Sequence, residues 1–133
     1  LFVRRSFLRR MHGLSEKYFL YFEDADFCLR VRSLGGQLWV VPAAKIWHKV
    51  SQTMGGHGSP VQHYYGARNV LRFVAEHGTR IQFVSVCVLW WLTIGFLLLR
   101  LCTLRSVPQK LSIIRARLQG WRDFCRGYMG GMP

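Results

Sequence analysis

The chain has 133 residues, enough for one modest domain, and its 19 Lys+Arg against 6 Asp+Glu give a formal charge of +13. That balance points to an anionic partner such as membrane headgroups or phosphorylated substrates, while the 50% hydrophobic content excludes a disordered basic tail. Cys28, Cys87, Cys102 and Cys125 show no C-x-x-C spacing, which excludes a zinc knuckle or disulfide framework and leaves reduced, buried thiols as the expectation.

The sequence opens on Leu1, directly in apolar and basic residues, and is expected to be a fragment of a longer protein. Leu1-Phe2-Val3 reads as a short strand, followed by a brief helix over residues 6–11 with Ser6 as N-cap and Gly13 as the left-handed closing residue. Arg4, Arg5, Arg9 and Arg10 cluster there; a solvated face is the ordinary reading and phosphate contact the alternative.

Next comes Phe19-Leu20-Tyr21-Phe22-Glu23-Asp24-Ala25-Asp26-Phe27-Cys28-Leu29-Arg30, an aromatic run that leads straight into three carboxylates. A helix over residues 24–34 is expected, with Phe27, Leu29, Val31 and Leu34 available for burial and Gly35-Gly36 as its stop. Free N–H groups and the dipole favour ionised carboxylates at such a helix start. Two readings stay open: an N-capping cluster, or a carboxylate general base.

Residues 37–41 read as a strand ending at Pro42, and residues 45–50 alternate polar and apolar as a second strand that places His48 near its end. The Gly- and Ser-rich stretch over residues 51–60, which holds His57, is long enough for a functional loop. A helix over residues 61–77 stacks Tyr64, Arg68, Leu71 and Ala75 on one face and ends at Gly78.

Residues 81–99 contain no charged side chain, which meets the requirement for a membrane-spanning helix; a buried helix of a soluble protein is the alternative. Arg68, Arg72 and Arg80 precede this run, and Arg100, Arg105, Lys110, Arg115, Arg117, Arg122 and Arg126 follow it. Both flanks therefore prefer the cytoplasmic side, and a shallow, re-entrant or interfacial placement satisfies both. Over residues 107–126 the stripe Leu111, Ile114, Leu118, Trp121 and Cys125 marks an amphipathic helix with its cations mostly on the other side, suited to a membrane surface; a helix that packs back on the globular part is the alternative. The Gly-Tyr-Met-Gly-Gly-Met-Pro end is expected to be frayed.

Taken together, Glu23-Asp24-x-Asp26, Val41-Pro42, Trp47-His48, a Gly/Ser loop ending in Ser59-Pro60, and Tyr64-Tyr65-x-x-Arg68-Asn69 form a specific combination. It resembles the C-terminal half of the catalytic domain of family 2 glycosyltransferases, the inverting GT-A enzymes, and most of all rhamnosyltransferase-like members of bacterial cell-surface polysaccharide assembly. The resemblance covers residues 1–77 and implies an α/β fold. Three parts follow: residues 1–78 from the catalytic domain, 79–105 as an apolar transmembrane or re-entrant helix, and 106–133 as a basic amphipathic interfacial tail.

The resemblance also implies roles. Asp24, paired with Glu23, would deprotonate the acceptor hydroxyl in a single inverting displacement. His48 would help hold a divalent metal, Mn²⁺ or Mg²⁺, that neutralises the departing nucleotide diphosphate. Asp26, Trp47, Tyr64 and Arg68 are the candidate substrate contacts; Arg68 reads equally as a structural ion-pair partner. The implied partners are a nucleotide-sugar donor, a polyprenyl-linked or glycan acceptor and the membrane, with the catalytic part on the cytoplasmic face of the cell membrane. Family members carry Gly-Gly-Phe-Asp-Glu where this chain has His12-Gly13-Leu14-Ser15-Glu16, and the nucleotide-binding half is absent, so inactivity on its own is expected. The rival reading is a non-enzymatic basic membrane-binding protein. A nucleic-acid partner is set aside, because the uncharged run of residues 81–99 has no place in such a protein.

Overall fold

The computed structural model describes residues 2–47, 56, 58–100 and 107–132. Within them lie α1 (Arg5–Arg10), α2 (Glu23–Ser33), α3 (Pro60–His77), α4 (Arg80–Leu99) and α5 (Val107–Cys125). α3 and α4 start where the sequence supplies capping chemistry. Ser59 Oγ accepts the Gln62 N–H ahead of α3, and Pro60 occupies the first turn, where a missing N–H does no harm. Thr79 and Gln82 close a reciprocal capping box ahead of α4.

The expected α/β architecture is not found: among the described residues there is no strand and no sheet. Residues 2–3, 37–41 and 45–47, expected as strands, are irregular, and residues 48–50 of the second lie outside the described residues. The reason is physical. A strand is stable only when a neighbour takes up its N–H and C=O groups, and among the described residues no segment pairs with these. Trp39, Val40 and Trp47 are accordingly 80, 89 and 92% exposed.

The packing is built on α3. Gly120 of α5 comes so close that a β-carbon there would stand 2.5 Å from the Tyr64 carbonyl oxygen and 3.2 Å from the Arg68 nitrogen. Further along α3, Arg72 donates to the carbonyl of Tyr128, just beyond the end of α5, so α3 and α5 run in the same direction. α4 returns antiparallel to α5, with Phe83 against Phe124, Trp90 against Trp121, and Thr93 bonded to Arg117. Trp90 and Ile94 of α4 pack with Ala67 of α3.

Three sequence expectations shift. α5 buries Ile114 from the expected stripe, yet Leu111 and Leu118 are exposed, and the face against α3 consists of Ala116, Gly120 and Asp123. Close helix contact demands small residues, and these do not register as an apolar stripe. The end segment is not frayed over residues 128–132: Met132 N–H donates to the Tyr65 hydroxyl at 2.6 Å, and Arg68 reaches the Gly130 carbonyl at 2.9 Å. Among the described cysteines Cys28, Cys87 and Cys125 are free, the first two half-buried and the third exposed, rather than buried as expected.

α4 is the one described helix long and apolar enough to cross a membrane. It packs only its Trp90–Ile94 side and leaves Ile81, Val84, Leu89, Leu92, Phe96 and Leu99 exposed.

Replacing Gly120 by Ala should lower stability by about 1–3 kcal/mol, since the obstacle is backbone rather than a flexible side chain. Gly66→Ala, which meets nothing within 4 Å, should be neutral or gain up to about 1 kcal/mol from helix propensity. Thermal unfolding in neutral detergent, followed by circular dichroism, compares the two; equal stability for Gly120→Ala and wild type would contradict the α3–α5 contact.

Candidate functional site

The site is organised around the start of α2. Its N-cap residue Phe22 has φ +73° and offers no side-chain cap, so the carboxylates do not serve as the N-cap. Glu23, Asp24 and Asp26 all fall within the first turn. They point in three different ways. Asp24 is exposed, with Oδ1 accepting the Ala25 N–H at 2.7 Å. Glu23 is half-buried and its Oε2 is covered without a hydrogen-bond partner. Asp26 is buried.

The approach to this turn is strained. Phe19, Tyr21 and Phe22 have φ of 59°, 63° and 73°, left-handed values that cost a large aromatic residue roughly 1 kcal/mol or more each. Such a loop persists only if its surroundings hold it, and α3 does so. Asn69 Nδ2 donates to the carbonyls of Tyr18 at 2.8 Å, Leu20 at 2.6 Å and Tyr21 at 3.1 Å. Arg68 Nη2 reaches the same Tyr18 carbonyl at 2.8 Å, Nη1 takes Gly130 O, and Nε donates to Asn69 Oδ1. The guanidinium is fully buried, lying 5.4 Å from the Tyr64 ring centre and 5.0 Å from that of Tyr65. Arg68 and Asn69 therefore fix the backbone that delivers Glu23 and Asp24.

Asp26 locks the other side of α2. Its Oδ2 accepts from Arg30 Nε and its Oδ1 faces His77 Nε2, both at 2.8 Å. Arg30 continues to the Met11 and Gly13 carbonyls, tying α2 to the turn after α1. Neighbouring Glu76 accepts from the Tyr18 hydroxyl at 2.9 Å and pairs with Lys17. Burial and Glu76 push the Tyr18 phenol well above its usual range.

Asp26, Glu76 and His77 bring potential metal ligands within 4.8 Å of one another. The donor set does not suit a divalent ion, because the Arg30 guanidinium already neutralises Asp26, and Glu76 is engaged with Tyr18 and Lys17. His48, the expected metal ligand, lies outside the described residues, as do His57 and most of the 51–60 loop.

Of the other candidates, Trp47 is far from the rest in character, almost wholly exposed. Tyr64 is fully buried and its hydroxyl donates to Asp123 Oδ2 at 2.9 Å, so it joins α3 to α5. Burial, followed by the Asp123 hydrogen bond, pushes the Tyr64 phenol up to about 12. The structure thus brings Asp26, Arg68 and Tyr64 onto the supporting side of the α2 turn and leaves Asp24 on its open side. Asn69, Glu76, His77 and Asp123 were not singled out from sequence. Asn69 stood within the Tyr-Tyr-x-x-Arg-Asn motif, but a partner of Asp26 that lies 51 residues away has no local signature.

Comparison with protein-family models, with curated proteins and with solved structures returns no match.

Asn69→Ala strips donors from three carbonyls and should cost about 2–3 kcal/mol, with amide exchange accelerating first over residues 18–25. Uniform exchange across the chain in that variant would contradict a local clamp. Tyr64 also sets an alkaline limit. Its folded value exceeds the ordinary 10.0, so its stabilisation is complete below pH 10 and is lost as pH rises toward about 12. Tyr64→Phe should shallow that loss in pH-dependent melting; an unchanged alkaline limb would show that Tyr64 does not cause it.

Proposed function

We propose that this chain supplies the acceptor-side base of an inverting glycosyltransferase, one that moves a sugar from a nucleotide-sugar to a polyprenyl-linked or glycan acceptor in cell-surface glycan synthesis. The observation that carries the reading is the exposed Asp24 carboxylate on the first turn of α2, behind a strained loop that buried Arg68 and Asn69 hold in place. Strain retained at a carboxylate-bearing turn is a common mark of a site whose geometry matters.

In the proposed reaction the Asp24 carboxylate takes the proton from the acceptor hydroxyl. That oxygen forms the new bond to the anomeric carbon as the bond to the nucleotide diphosphate breaks, with inversion at carbon. Asp26 positions the helix through Arg30 and His77 and needs no contact with substrate. The apolar, exposed α4 supports membrane attachment, and its arginine-rich flanks support a cytoplasmic orientation. A divalent metal belongs to the reading only through His48.

The test uses the gene product together with its upstream coding sequence, in detergent with Mn²⁺, nucleotide-sugars and a lipid-linked acceptor. Asp24→Asn should cut nucleotide diphosphate release by roughly 10²–10⁴-fold with the melting temperature unchanged. Asp26→Asn should instead lower the melting temperature, because Arg30 loses its counter-charge and His77 its carboxylate partner. Equal release from wild type and Asp24→Asn would remove Asp24 from this role. Absence of release with every donor would favour the non-enzymatic membrane-binding reading, which rests on the exposed α4.

A further inference from the structure

The seam between α4 and α5 contains donors without acceptors. Lys110, Ile114, Arg117 and Trp121 repeat at four-, three- and four-residue steps and so share one face of α5. That face meets α4: Arg117 Nη2 donates to Thr93 Oγ1 at 2.9 Å, its guanidinium lies 5.9 Å from the Trp90 ring centre, and Trp121 packs on Trp90 and Trp91. Trp90 Nε1, Lys110 Nζ and Arg117 Nε are all buried with no hydrogen-bond partner. No ion pair among the described residues includes Lys110 or Arg117; Asp123 of the same helix is engaged by Arg122 and Tyr64. Burial pulls the Arg117 guanidinium down from the usual arginine range, and burial together with the Arg117 charge lowers His63 across the groove on α3.

Buried cations without a counter-charge are costly, and proteins retain them where something else supplies the charge. What is missing here is an acceptor-rich anion. We propose that the α4–α5 seam binds a phosphate group, held by Lys110 and Arg117 beside the Trp90 indole, with a membrane lipid headgroup as its source. The lipid source follows from the surroundings. Leu92, Phe96 and Leu99 expose an apolar surface on α4 that acyl chains can cover, while Lys110 stands toward the Arg100 end of that helix. Arg117 reaches Thr93, about 10 Å along the axis from that end at 1.5 Å per residue, within the reach of a long side chain extending toward headgroups. This site is independent of the transferase reading: it rests on α4 and α5 and requires neither Asp24 nor a sugar donor.

The experiment titrates the full chain in neutral detergent with short-chain phosphatidylglycerol, with the matching diacylglycerol that lacks phosphate, and with inorganic phosphate, reading affinity by calorimetry. Phosphatidylglycerol should bind, and Lys110→Gln and Arg117→Gln should each weaken it about tenfold or more, the loss of one charge-assisted contact. Arg115→Gln, on the exposed face, should leave affinity within about twofold. Inorganic phosphate binding with the same variant pattern would keep the site and make its source soluble. An equal loss in Arg115→Gln would mean diffuse surface charge and overturn the site, as would diacylglycerol binding as well as the phospholipid, or no binding by any probe. Without lipid, Lys110→Gln should melt no lower than wild type, since it removes a buried ammonium with no hydrogen-bond partner; a lower melting temperature would show that a partner already exists and would also overturn the proposal.

Discussion

Everything described around α2 depends on one side-chain amide. Asn69 gathers the Tyr18, Leu20 and Tyr21 carbonyls onto a single nitrogen, and the adjacent Arg68 shares the first of them. Without these bonds three aromatic residues would have no reason to stay in left-handed conformations, and the turn carrying Glu23 and Asp24 would relax. A hydrogen bond made in a buried place matters less for its own strength than for the cost of leaving its groups unpaired, and here several carbonyls share two donors. The clamp is rigid because both residues sit on α3, the helix against which α4 and α5 also pack.

Most of the described positive charge falls into two populations. Arg30, Arg68 and Arg72 turn inward and spend their donors on backbone carbonyls, so they act as cross-links between segments far apart in sequence. Arg4, Arg9, Arg115 and Arg122 stay at the surface. Lys110 and Arg117 belong to neither group, being drawn in without carbonyls or carboxylates to satisfy them. Net charge therefore overstates how much of the basic content is available for an anionic surface.

Helix placement was largely legible in the sequence, because Gly78 and Gly35 are local stop signals that operate wherever the chain goes, although Ser6, read as a cap, lies inside α1, whose N-cap is Arg4. The expected sheet was not found, since Trp39, Val40 and Ile46 have strand-like character but pairing depends on a neighbour that a local pattern cannot provide. The inner face of α5 was misread for a related reason. Gly120 and Ala116 matter through closeness of approach, which hydrophobicity does not record. At the candidate site the carboxylate-rich turn was visible, whereas the division of labour between exposed Asp24 and buried Asp26 was not. That division comes from Arg30 on the next turn and His77 on another helix.

The bond from Arg68 to Gly130 also has a temporal side. The two residues are separated by 62 positions, and the ribosome delivers them in that order at a few to some tens of residues per second. For several seconds the nascent chain would hold a cation destined for the interior with one of its carbonyl acceptors not yet made. The Tyr18–Phe22 turn thus acquires its final support only after α5 has emerged, which makes premature termination anywhere in that helix a lesion of the α2 turn as well.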